Sequence, residues 1–272
     1  RIKAGTAWWA PIGMSAFHLI HYARTGNMGE VDKQLDLAVA NGINFVRVFG
    51  ATQFLFNLHP SQVSYWTAVG FVFGKARDRG LWIELCVLTD AQLIMPVTSD
   101  RHSFVKDWAQ FLREQPEGFA EICNEAFKNG FSSADDPALL DLGDLFRANA
   151  PDTPYSLSDP TDGDTEDDST DMLRQQSEIA TRGTPILTLH PSRKEDPARW
   201  SRQVDHLKGA IDIRQAAKLN RPALILNEPM GIASRRTGNR FGAEDSERIA
   251  AMLFVGMMVG GIVYHRIPEQ DA

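Results

Sequence analysis

Eight short apolar runs alternate with amphipathic stretches along this 272-residue chain, and that alternation limits the fold more than any other feature. The runs cover residues 4–12, 43–49, 81–88, 119–123, 153–158, 185–189, 223–226 and 262–265. Short runs of this kind, bounded by Gly, Pro and Asn, read as strands, and stretches with apolar residues at helical spacing read as helices. The helical stretches fall near 31–38, 61–79, 103–114, 137–149, 172–181, 197–219 and 243–259. Asn41-Gly42, Gly80 and Gly183 follow three of them as stop signals. Strand and helix in alternation predict βα units and a parallel sheet.

Eight such units are the number that closes a (β/α)8 barrel, a fold that needs roughly 250 residues. The expected architecture is therefore an α/β chain forming a single TIM barrel over residues 1–272. An open doubly wound sheet is the rival, but it carries five or six strands and a glycine-rich phosphate turn after the first. No G-x-G-x-x-G follows residues 4–12.

Charge narrows the choice of partner. A formal net charge of −7 argues against nucleic acid or an anionic membrane surface, both of which call for a basic face. The longest apolar stretch, 250–263, is interrupted by three glycines and is too short to span a bilayer. A soluble protein is expected, with any secretion signal lying ahead of Arg1; the oligomeric state is left open. Cys86 and Cys123 fall inside expected strands and read as two buried thiols. The acidic run 159–168 after the fifth strand departs from a calcium-loop pattern and reads as a solvated loop. His18 and His21, three apart with no third ligand nearby, read as packing or surface residues rather than a metal pair.

In a barrel of this type, chemistry sits at the carboxyl ends of the strands, so the polar groups ending each run are the candidates. Arg47 lies on strand two, Asp90 ends strand three, Asn124-Glu125 ends strand four, and His190 follows strand six. Asn227-Glu228 ends strand seven and His265 ends strand eight. Strands four and seven lie on opposite sides of an eight-stranded barrel, so Glu125 and Glu228 can face each other across its mouth. Two carboxyl groups about 5 to 5.5 Å apart, one protonated and one ionised, are what glycoside hydrolysis with retention requires. Trp9, in Trp8-Trp9 at the end of the first run, is a candidate stacking ring for a sugar, since neighbouring strand residues point to opposite faces.

This placement resembles the clan of retaining glycoside hydrolases that includes cellulases, β-mannanases and β-galactosidases, whose acid/base and nucleophile end strands four and seven. The resemblance implies Glu125 as acid/base, Glu228 as nucleophile, and Asn124 as the group holding the sugar 2-hydroxyl. It also implies that Arg47 bonds the nucleophile and keeps it ionised, with His190 as its support. Two positions depart from the clan's pattern: Ala126 stands where many members have Pro, and His265 stands near the place of a floor Trp. The implied activity is hydrolysis of β-linked oligo- or polysaccharides, without cofactor or metal. Two other readings remain: a metal-dependent barrel hydrolase using His190, His265, Asp159 and Asp90, and a carbohydrate-binding barrel without chemistry.

Overall fold

The computed structural model describes residues 2–4, 7–53, 55–158, 186–189, 223–231 and 260–265. Ten strands are present among them. β1 (Ile2–Ala4) and β2 (Ala7–Trp9) form a small antiparallel hairpin ahead of the barrel. The barrel strands are β3 (Ile12–Ser15), β4 (Phe45–Phe49), β5 (Trp82–Leu88), β6 (Gly118–Cys123), β7 (Tyr155–Ser156), β8 (Ile186–Leu189), β9 (Ala223–Gly231) and β10 (Gly260–His265). All pair in parallel, in the order β7-β6-β5-β4-β3-β10-β9-β8. Between the two outer strands, Thr188 Oγ1 donates to Ser156 Oγ at 3.3 Å. The result is a nearly closed eight-stranded parallel barrel wrapped by helices, as the alternation of runs implies.

The first run is corrected by the structure. Residues 4–12 are not one strand: Pro11 lacks the N–H that a ladder needs, so the hairpin ends before it and the barrel strand begins after it. Asn44 fixes that junction, its Oδ1 accepting from Ile12 N at 2.9 Å and its Nδ2 donating to Ala10 O at 2.7 Å.

Helices α1 (Leu19–Arg24), α2 (Met28–Ala40), α3 (Tyr65–Arg77), α4 (Ala91–Ile94), α5 (Thr98–Arg113) and α6 (Pro137–Asn149) cover the described half of the barrel. In α2 the buried residues Val31, Gln34, Leu35 and Ala38 form one stripe at helical spacing, which packs toward the sheet. α6 starts where Asp136 accepts from Ala138 N at 2.9 Å and Pro137 occupies the first turn. Gly42 and Gly80 end their helices at φ +70° and +69°, a conformation that costs a residue with a Cβ. The helices expected at 172–181, 197–219 and 243–259, and the acidic run 159–168, lie outside the described residues.

Register sorts the interior into layers, because side chains two apart on a strand share a face. At the amino-terminal end of the barrel, Phe45, Phe119, Ile186, Ile225 and Val263 form an apolar plug with Trp9 and Trp82 packed against it. Gly13 makes room for this plug, since a Cβ there would fall 2.3 Å from the Phe45 ring. One step up each strand the interior turns polar, with Arg47, Glu84, Glu121, Ser156, Thr188 and Asn227 all buried.

Candidate active site

The polar layer is tied together by a buried network spanning strands two, three, four and seven of the barrel. Arg47 Nη2 makes a short ion pair with Glu121 Oε2, and Arg47 Nε lies 4.0 Å from Glu84 Oε1. From β9, Asn227 Nδ2 donates to Glu84 Oε1 at 2.8 Å and lies 3.3 Å from Glu121 Oε1. The guanidinium also sits beneath two stacked rings, 5.5 Å from the centroid of Phe17 and 5.4 Å from that of Phe49. A charge this far from water needs partners on every side, and Arg47 has carboxylates, an amide oxygen and aromatic faces.

The network reaches upward through Asn124. Arg47 Nη2 donates to Asn124 Oδ1 at 2.8 Å, which fixes the amide so that Nδ2 donates to Glu125 Oε2 at 3.2 Å. Glu125 stands just past the end of β6 with φ +46°, one of two non-glycine residues in the left-handed region among the described residues. That conformation costs an ordinary residue about 1–2 kcal/mol, so the surroundings must hold it. Asn129, fully buried in the short 3-10 turn Ala126–Asn129, contacts this segment. Its Nδ2 donates to Asn124 O and lies 3.4 Å from Glu125 O, while its Oδ1 accepts from Ala91 N at 2.9 Å.

Glu228 follows Asn227 directly within β9, which is longer than its apolar run and continues to Gly231. Pairing with β10 shifts register between Ile262 and Tyr264, beside Glu228 and Pro229. A proline cannot donate to a ladder, and an irregularity at that point accommodates it. The backbone thus brings the residue before Glu228 onto Glu121, four residues before Glu125.

The other expected site residues fare differently. Asp90 ends β5 as expected, but its Oδ2 accepts from Thr52 Oγ1 at 2.7 Å and from Gln53 N at 2.8 Å, tying the loop after β4 to the loop after β5. Trp9 is not at the mouth. It packs 5.0 Å from Trp82, 5.8 Å from Phe45 and 6.3 Å from Phe119 at the opposite end, because it belongs to the hairpin that precedes the barrel. His265 closes β10 at the register of Gly231. His190 lies outside the described residues.

Reading only strand ends passes over Glu84, Glu121 and Asn129. The first two carry a visible signal, a lone carboxylate inside an apolar run in Trp82-Ile83-Glu84-Leu85 and in Phe119-Ala120-Glu121-Ile122. Asn129 carries none, since its role depends on backbone atoms of other residues. Cys86 and Cys123 are buried free thiols; burial first, and then the charge of Glu121, pushes both well above the ordinary thiol range. His18 is buried and lies over Phe56 with ring centroids 4.0 Å apart, the packing role expected of it.

Comparison with solved structures defines the class of fold. The barrel is similar to that of a glycoside hydrolase at 12% identity and TM-score 0.68, over 95% of this chain and 61% of that one. It is similar to a family 5 glycoside hydrolase from Bacteroides vulgatus at 15% identity and TM-score 0.68, over 94% of this chain and 58% of that one. The endo-1,4-β-D-mannanase of Thermotoga petrophila, solved with maltose and glycerol, matches at 15% identity and TM-score 0.64, over 94% of this chain and 88% of that one. The chain thus spans about three fifths of the length of the first two. No family model and no curated protein sequence matches the chain. At these identities the likeness shows a shared fold: the TIM barrel on which family 5 glycoside hydrolases of clan A are built. Among the described residues no helix is long and apolar enough to cross a membrane.

Proposed function

We propose that this chain is a retaining glycoside hydrolase acting on β-linked oligo- or polysaccharides, with Glu125 as acid/base and Glu228 as nucleophile. The observation that carries the reading is the buried bridge from Asn227 to Glu121, which ties the strand of one acid to the strand of the other. The sugar would lie above the polar layer, between the ends of β6 and β9.

In the first step Glu228 attacks the anomeric carbon while Glu125 gives its proton to the departing oxygen, so one C–O bond forms as another breaks. In the second, Glu125 takes a proton from water, the water oxygen attacks the anomeric carbon, and the bond to Glu228 breaks. Asn124 is suited to the 2-hydroxyl because Arg47 already fixes its amide orientation. Arg47 favours the ionised form of a nearby nucleophile. His190 and His265, following strands six and eight, belong to the same rim in this reading, and no cofactor is required.

The neighbours direct the first substrates: one is an endo-β-mannanase, and one from Streptomyces cattleya was solved with Manβ1-4GlcNAc. A panel of aryl β-mannosides and β-glucosides, with the first product anomer read by NMR, tests the proposal. A β product at the first time point supports double displacement, and an α product overturns it. Loss of turnover on adding a chelator would favour a metal-dependent hydrolase. Sugar binding together with zero turnover in the wild type would favour the binding barrel.

A further inference from the structure

The proposed acid/base sits on strained backbone, at φ +46°. A proline at 126 would bias residue 125 toward extended backbone, and Ala126 leaves the left-handed turn accessible without enforcing it. One buried side chain reaches both carbonyls of the turn. Asn129 is buried, donates to the Asn124 carbonyl, approaches the Glu125 carbonyl at 3.4 Å, and is itself anchored by Ala91 N at 2.9 Å. Ala91 opens α4, in the loop after the neighbouring strand, so the clamp is referenced to a second element of the barrel. Asn124 Nδ2 then meets Glu125 Oε2 at 3.2 Å, which orients the carboxyl once its backbone is fixed.

We propose that Asn129 is a positioning residue whose amide clamps the Asn124–Glu125 backbone in its left-handed turn and so aims the carboxyl that protonates the leaving group. The proposal rests on Glu125 acting as the acid/base. A group that must meet a glycosidic oxygen loses effectiveness steeply with small displacements, on the order of 100-fold for about 1 Å. The clamp therefore controls proton delivery more than substrate binding.

The chemistry supplies a readout that general damage does not mimic. A 2,4-dinitrophenolate leaves without a proton, so a misaimed acid spares its release and penalises alkoxide leaving groups. In the second step, azide attacks the anomeric carbon, forms the C–N bond and releases Glu228 as carboxylate. As an anion it needs no base, so it bypasses a misaimed Glu125.

Asn129→Asp is the informative variant, because it keeps the acceptor for Ala91 N and loses the two donors to the carbonyls. Asn129→Ala and Glu125→Ala serve as references. For Asn129→Asp we expect kcat/KM on an unactivated β-disaccharide to fall about 10- to 100-fold. On the dinitrophenyl glycoside it should stay within about 3-fold, with azide raising turnover of that substrate and yielding a β-glycosyl azide. A uniform loss across both substrates without azide rescue, while Glu125→Ala shows both effects, overturns the clamp and leaves the glycosidase reading standing. If the wild type cleaves no glycoside, that reading fails, and a crystal structure of Asn129→Asp decides the clamp. Glu125 leaving positive φ supports the clamp, and Glu125 held near +46° refutes it.

Discussion

Two layers of the same barrel, one residue pair apart along each strand, are built on opposite principles. The lower layer of Phe45, Phe119, Ile186, Ile225 and Val263, floored by Trp9 and Trp82, is apolar and packed. The upper layer of Arg47, Glu84, Glu121 and Asn227 is equally buried and carries two carboxylates and a guanidinium. Apolar packing gains stability from area removed from water, whereas a buried ion network gains little net stability and fixes geometry instead. The contrast places apolar packing at the amino-terminal end of the barrel and a geometry-fixing polar network toward the carboxyl-terminal end, where barrels of this type keep their sites.

The sharpest way to break that contrast is to remove the upper layer in two stages. Glu121→Leu removes the carboxylate that pairs most closely with the buried Arg47 guanidinium among the described residues, and leaves Glu84 4.0 Å from its Nε. It should cost about 3–5 kcal/mol in urea unfolding. The triple variant Arg47→Met/Glu84→Gln/Glu121→Leu, which replaces the buried cation together with both carboxylates, should recover most of that stability and none of the activity. Recovery of both would mean that the layer is only packing.

His18 offers a second test, at a packed site beside the barrel mouth. Burial, and then the charge of His21, hold His18 down at about 4 against an ordinary 6.5. The fold thus favours the neutral ring. Its contribution to stability is complete above pH 6.5, erodes as the pH falls, and is lost by about pH 4, an effect of about 3 kcal/mol. His18→Phe should flatten the unfolding free energy over that window. An unchanged slope would show that other groups carry the acid sensitivity.

The smallest expected effect belongs to the lower layer. Trp9 is half-buried, so Trp9→Ala should cost about 2 kcal/mol, less than a fully buried aromatic, with kcat and KM unchanged at a temperature where the variant is folded. A change in KM would return Trp9 to the sugar site and undo the division between the layers.

Strand positions were legible because apolar runs bounded by Gly, Pro and Asn need no tertiary knowledge to be seen. The first run misled because a hairpin and a barrel strand lie end to end, and only Pro11 marks the joint. That joint also moves Trp9 from the expected mouth to the floor. The end of strand seven was placed early, since Asn227, Glu228 and Pro229 read as a strand stop while the β10 irregularity lets pairing continue. Glu125 is legible as a charge that ends an apolar run, and Arg47 as a charge carried on the second one. The same reading, applied to the other strand interiors, would have found Glu84 and Glu121. Asn129 lay beyond any such reading, because what it holds is backbone.

The central claim is that Glu228 forms a covalent bond to sugar across the barrel mouth from Glu125. Incubation with an activated 2-deoxy-2-fluoro β-glycoside, followed by mass spectrometry of peptides, reads it directly. One glycosyl unit on the peptide containing Glu228, formed as activity is lost, is the predicted result. Continued turnover of ordinary glycosides with the label absent, or carried on another residue, would contradict the account.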